Sequence, residues 1–169
     1  MGEPFATSGT PCCGRRGDSL QSSPPGETAL NPDIRPTRDK TLLELEGDSG
    51  AVTTSDRHLV KAVRRLRELP IRDYRIEDLR LMIGQGMGLP YLVPIALDVL
   101  EADPFAKGDY YPGDLLKMVT SVPLAFWSDH PSYRRRAAHV VRRALQGFDQ
   151  VETIPELRGD LWAAGALLD

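Results

Sequence analysis

Residues 76–116 read IEDLRLMIGQGMGLPYLVPIALDVLEADPFAKGDYYPGDLL, and this stretch decides the fold. Leu79, Met82 and Ile83 recur at helical spacing behind Glu77 and Asp78, two acids that suit the positive end of a helix dipole. Gly84, Gly86 and Gly88 unwind that helix, because glycine enters left-handed geometry without a steric penalty. Pro90 is suited to the first turn of a new helix over residues 91–101. That helix is apolar nearly all round (Leu92, Val93, Ile95, Ala96, Leu97, Val99, Leu100), which predicts the central, most buried element. Pro94 fits if it lies within the first turn or so, where a missing N–H costs little. The loop ADPFAKGDYYPGD then leads into a helix over residues 114–121, carried by Leu115, Leu116, Met118 and Val119. Nothing in the stretch has the make-up of a catalytic centre, so it points to a surface that binds.

The flanks extend the same pattern. Upstream, TLLELEG is a short amphipathic piece that stops at Gly47. After GDSGAVTTSD, with Thr54 or Ser55 as cap, Leu59, Val60, Val63, Leu66 and Leu69 mark a helix that ends at Pro70. Its outer face is basic: Arg57, Lys61, Arg64, Arg65 and Arg67. Downstream, Phe126-Trp127 reads as an aromatic plug. Pro131 then opens a helix over residues 132–145, with Ala137, Val140, Val141, Ala144 and Leu145 inward. Arg134, Arg135, Arg136, Arg142 and Arg143 form its other face. A final short helix is expected on Leu161, Trp162, Ala164 and Leu167. No alternating strand pattern or internal repeat appears. The expectation is an all-α, single-domain bundle of about five helices over residues 39–169.

Residues 1–38 differ in kind. They are rich in Gly, Pro, Ser and Thr, and Phe5, Leu20, Leu30 and Ile34 are among their few large apolar side chains. Such a segment buries too little surface to offset its ordering entropy, which predicts a disordered tail, or a wrongly assigned upstream start. It begins with neither a secretory signal nor a myristoylation pattern.

Composition excludes several classes. At 169 residues the length suits one domain, 41% apolar residues are enough for a core, and a formal charge of −3 argues against general affinity for nucleic acid. No run approaches the roughly 18 apolar residues of a membrane span. The only cysteines are Cys12 and Cys13, so a disulfide framework is absent and a reducing, cytoplasmic compartment is the default.

The chemical motifs are weak. Gly84-Gln85-Gly86-Met87-Gly88 resembles a phosphate loop, but it follows a helix and lacks the trailing Lys-Ser/Thr. His58, His130 and His139 are scattered, with no HExxH and no CxxC, so neither a metal nor a cofactor is expected. No nucleophile elbow is present. Asp98 and Glu101 share one helix, yet nothing separates their environments as acid–base catalysis requires. The arginines of the two basic helices invite a nucleic-acid reading, with Tyr133 available to stack. Against it stands the alternative that they pair with acids of this chain.

The acidic stretch carries the binding reading. Asp98, Glu101, Asp103, Asp109 and Asp114 are opposed by Lys107 alone, beside Phe105, Tyr110 and Tyr111. Aromatic anchors supply binding energy, and charges supply steering toward a basic partner. The candidate contact set is therefore Glu101, Asp103, Phe105, Asp109, Tyr110, Tyr111 and Asp114. A structural role stays open beside it, with Asp103 and Asp114 capping helices and Tyr110 and Tyr111 filling space beneath the loop.

These segments also resemble a family. The TLxELEG opening, a basic helix ending in Leu-Pro, the xEDLRxxIGQ helix, LPYLVPxAL and the GDYYPGDLL turn occur in the order of contact-dependent growth inhibition immunity proteins. The likeness covers residues 40–127. It implies a small cytoplasmic helical protein without catalysis, whose partner is a cognate toxin domain, often a nuclease. It names no contact residues. A nucleic-acid-binding regulator using the arginine helices is the alternative.

Overall fold

The computed structural model describes residues 35–47 and 56–168. Cys12, Cys13, Thr54, Ser55 and the bulk of the expected tail lie outside the described residues. The described chain is helical, without a strand, and its nine α-helices include five of nine residues or more. The all-α expectation holds, with more helices than the five or so expected; Arg35–Arg38 and Leu124–Asp129, which the pattern did not show as helices, have only four and six residues, too few for a periodic signal.

Arg35–Arg38 (α1) is a single turn inside the segment whose composition reads as tail. Leu42–Glu46 (α2) begins with a reciprocal cap, in which the Thr41 hydroxyl accepts from the Glu44 N–H and the Glu44 carboxylate accepts from the Thr41 N–H. Arg57–Arg67 (α3) is capped by Asp56, which takes the N–H groups of His58 and Leu59, where Thr54 or Ser55 was expected. Arg57, Lys61, Arg64 and Arg65 are exposed as the pattern predicts. Arg67 departs from it: the side chain turns inward, is buried, and donates to the Gly47 carbonyl at 2.6 Å.

Ile76–Gly84 (α4) buries Leu79, Met82 and Ile83. Gly88, at φ +64°, turns the chain into Leu89–Ala102 (α5). A Cβ on Gly88 would lie 2.8 Å from a Leu42 methyl carbon, so this turn lets α2 pack directly on it. Because α5 starts earlier than residue 91, Pro94 sits in its second turn and denies Pro90 the usual i+4 partner. The helix remains because Leu92, Val93, Leu97 and Leu100 are fully buried against α4 and the later helices. Each such side chain contributes up to about 1.5–3 kcal/mol, and truncation of Leu97 to Ala costs about 2–5 kcal/mol.

Asp114–Thr120 (α6) packs on α4. The expected aromatic plug is itself a helix, Leu124–Asp129 (α7), whose Trp127 is 2% exposed and donates to the Val122 carbonyl. Pro131–Gly147 (α8) packs on α5, and Glu156–Leu168 (α9) packs on α8. In α9 the inward set is Leu157, Leu161, Ala164 and Leu168, a clean i, i+4, i+7, i+11 stripe. Trp162 and Leu167, expected inward, are exposed, because their positions lie off that stripe.

Arginines of α8 lock these layers. The Arg136 guanidinium donates to both Glu101 carboxylate oxygens, at 2.7 and 2.9 Å, and to Asp98 at 2.7 Å. Asp98 also meets Arg38 of α1 at 3.4 Å. Arg143 donates to the Glu101 carbonyl, and Arg134 donates to the last α9 carbonyls, those of Leu167 and Leu168. That last contact supplies acceptors' partners where a helix end would otherwise lack them.

Candidate functional site

The loop of residues 103–113 joins α5 to α6 and gathers most of the expected contact residues. Its backbone folds back on itself through an antiparallel bridge between Lys107 and Pro112, and the Gly113 N–H donates to the Phe105 carbonyl. Gly113, at φ +89°, starts α6 where a Cβ would lie 2.7 Å from a Leu157 methyl carbon, so the loop is seated on α9. Phe105 is half-buried and meets Phe148 edge-on at 6.1 Å between centroids.

Two carboxylates hold the tip from within. Asp114 is 2% exposed and accepts the N–H groups of Gly108 at 2.7 Å and Tyr110 at 3.2 Å. Glu77, at the start of α4, accepts the Asp109 N–H at 3.0 Å and binds Arg80 through two bonds of 2.6 and 2.7 Å. The Arg80 hydrogen bonds hold the Glu77 carboxyl below its usual range, against burial and with help from the Asp109 N–H. The same pairing raises the Arg80 pKa further, so the pair stays ionised at neutral pH. Gly108 is what allows this closeness: a Cβ there would lie 2.5 Å from Glu77 Oε2 and 3.0 Å from Asp114 Oδ2.

With its backbone pinned, the loop presents a small outward set. Tyr110 is 66% exposed, and its ring lies 4.5 Å from the Arg80 guanidinium carbon, a cation–π contact that fixes its orientation. Asp109 is exposed beside it. Asp103 ends α5 and is exposed, with one carboxylate oxygen taking the Phe105 N–H at 2.9 Å.

The seven expected contact residues thus divide. Asp103, Asp109 and Tyr110 are exposed, Asp103 at the α5 end of the loop and Asp109 and Tyr110 adjacent at its tip. Glu101 is half-buried and chelated by Arg136, Tyr111 and Phe105 are half-buried, and Asp114 is buried. Glu77, Arg80 and Gly108 were absent from the expected set, although Glu77 and Arg80 stand at a helical i, i+3 spacing that favours an ion pair.

The rival surface is also altered. Arg134, Arg136 and Arg143 of α8 spend donors on this chain. His58 and His139 are exposed, whereas His130 stacks on Phe126 at 4.3 Å and faces Tyr133 at 5.5 Å. Among the described residues no three His, Cys, Asp or Glu side chains gather as a metal site, and no helix is long and apolar enough to cross a membrane.

A family model described as CDI immunity proteins matches residues 44–137, more than half of the chain. The match covers α3 to α7, the loop and the Arg136 anchor. No curated protein and no solved structure matches the chain.

Proposed function

The chain belongs to the CDI immunity proteins, and on that premise we propose that it binds a cognate toxin domain through the loop of residues 103–113 and silences it by covering its active surface. The observation that carries this reading is the pinned loop. Glu77 and Asp114 accept the N–H groups of Gly108, Asp109 and Tyr110 from inside, so the backbone that carries Asp109 and Tyr110 is held before any partner arrives. A loop already ordered loses little entropy on binding, so more of its contact energy becomes affinity. An exposed, oriented tyrosine next to Asp109, with Asp103 exposed on the same loop, suits a basic partner surface, such as the substrate cleft of a nuclease. In this reading the protein acts by occupancy and turns nothing over, and its working place is the cytoplasm of the cell it protects.

Glu101, Phe105, Tyr111 and Asp114 then support the contact from behind. The nucleic-acid alternative is weaker here, since the α8 arginines that would track phosphates are largely committed to Glu101, Asp98 and the end of α9.

The test pairs this protein with the toxin domain encoded beside its gene. Co-expression is expected to restore growth, and the two chains are expected to co-purify. Reversing two charges together, Asp103→Lys and Asp109→Lys, is expected to slow association roughly tenfold at low salt, with the difference shrinking at about 0.5 M salt. Association that is unchanged at low salt would move the contact off this loop.

A further inference from the structure

The tip of the 103–113 loop is held by Glu77 and Asp114, whereas its base rests on a later part of the chain. Thr153 lies in the irregular segment between the turn Phe148–Gln150 and α9. Its hydroxyl donates to the Pro112 carbonyl at 2.6 Å, across 41 positions of sequence. Pro112 is bridged to Lys107, so the bond falls on the closing pair that brackets the tip.

Neighbours of Thr153 complete the brace. At the loop's entry, the Phe105 ring meets Phe148, which Arg158 covers at 5.2 Å while bonding Asp149 at 2.9 Å. At its exit, Leu157 is fully buried beneath Gly113. Asp160 ties Lys117 of α6 to α9 at 2.9 Å. These supports, spread over residues 148–160, lie beyond the matched residues 44–137. Phe148 and Leu157 belong to the core, so removing either disturbs the whole bundle. Thr153 is half-buried and outside that cluster, so its hydroxyl can be removed while the core stays filled.

We propose that Thr153 is a positioning residue for toxin binding: by fixing the Pro112 carbonyl it holds the 107–112 closing pair, and so presents Tyr110 and Asp109 in the arrangement the toxin domain meets. This rests on the reading of the loop as the contact surface. Without the hydroxyl, the Pro112 carbonyl turns toward water and the base of the loop opens. The apparent affinity then falls by the fraction of molecules that keep the competent arrangement. A competent fraction of about one tenth raises Kd about tenfold. No charge changes, so the loss is the same at low and high salt, unlike that from reversing Asp103 and Asp109.

Titration calorimetry of the full chain against the toxin domain encoded beside its gene measures Kd. Thr153→Val keeps the side chain's shape without its donor and is expected to weaken binding about tenfold at both about 0.1 M and about 0.5 M salt. Thr153→Ser restores the donor and is expected to bind within about twofold of the parent. Leu59→Ala, a half-buried truncation on α3, is the control for lost stability and is expected to leave Kd within about twofold. In a Tyr110→Ala background, Thr153→Val is expected to cost less than about threefold, because the ring it positions is gone. In the free protein, exchange of the Gly113 amide, which closes the loop base on the Phe105 carbonyl, is expected to quicken roughly tenfold in Thr153→Val and not in Thr153→Ser. Unchanged binding by both Tyr110→Ala and Asp109→Lys would overturn the loop reading and this inference with it. Weakened binding by those two beside an unchanged Thr153→Val overturns this inference alone. So does an equal loss in Leu59→Ala, a failure of Thr153→Ser to restore binding, or unchanged Gly113 exchange. A full tenfold loss in the Tyr110→Ala background also overturns it, since Thr153 would then touch the toxin directly.

Discussion

Removal of the Asp114 carboxylate separates a residue that holds the loop from one that touches a partner. The side chain is 2% exposed and takes two backbone N–H groups, those of Gly108 and Tyr110. Hydrogen bonds to a charged acceptor contribute about 1.5–3 kcal/mol each, and unpaired donors left in a half-buried loop lose that contribution unless water reaches them. Asp114 also begins α6, where a negative charge gains about 0.3–1 kcal/mol from the helix dipole. Water entering the truncated site recovers part of the sum, so Asp114→Ala is expected to cost about 3 kcal/mol. For a domain of this size that lowers Tm by roughly 10 °C. Asp114→Asn keeps one acceptor oxygen but not the charge, and is expected to cost about half as much. Scanning calorimetry measures both, with Asp109→Asn as the exposed control at within about 2 °C of the parent. Amide exchange adds a local readout, since Gly108 and Tyr110 should lose protection. A Tm for Asp114→Ala equal to that of Asp109→Asn, with both amides still protected, would show that the carboxylate does not hold this loop.

Three further outcomes follow from the same geometry. Tyr110→Ala removes an exposed cation–π contact and is expected to cost less than about 1 kcal/mol of stability. Its toxin affinity, measured by calorimetry, should fall about 30-fold, because an oriented aromatic anchor is lost. Glu77 has a depressed pKa in the folded state, so its stabilising contribution is present above the unfolded carboxyl value near about 4.3 and is lost as pH falls through the folded value. Glu77→Gln should therefore be less stable than the parent at about pH 7 and approach it at about pH 3, as urea denaturation across that range reads directly. Arg136→Ala leaves Asp98 and Glu101 facing each other at the α5–α8 contact, and is expected to cost about 2 kcal/mol in the same denaturation assay.

Periodicity made α3, α4, α5 and α8 legible, because each carries enough residues for an apolar stripe to repeat. It failed on α7, where six residues with two adjacent aromatics read as a plug. In α9 it found the helix but not the face, since Trp162 and Leu167 outweigh Ala164 in hydrophobicity while Leu157 and Leu168 set the true register. The same limit applied to charge. Composition along one segment counts acids but does not say which of them bend inward, and the partners of Glu101 and Asp98 lie 35 and 38 positions away on α8. Gly108 was the available signal, because a glycine inside an acidic turn marks a place where carboxylates approach the backbone closely.

Those inward turns change what the candidate surface can do. Counted along the chain, five acids face one lysine between residues 98 and 114. In the fold, Arg136 answers Asp98 and Glu101, and Asp114 is enclosed with Arg80 nearby, which leaves Asp103 and Asp109 as the outward acids, with Lys107 exposed between them. Two charges steer an encounter and make its rate fall with salt, yet they supply little of the free energy of a tight complex. On the proposed reading, affinity comes from apolar contact around Tyr110 and depends on how firmly Glu77, Arg80 and Asp114 hold that ring in place. A wholly electrostatic plug would instead lose both rate and affinity together as salt rises. The arrangement here predicts that salt acts mainly on the association rate and leaves dissociation nearly unchanged.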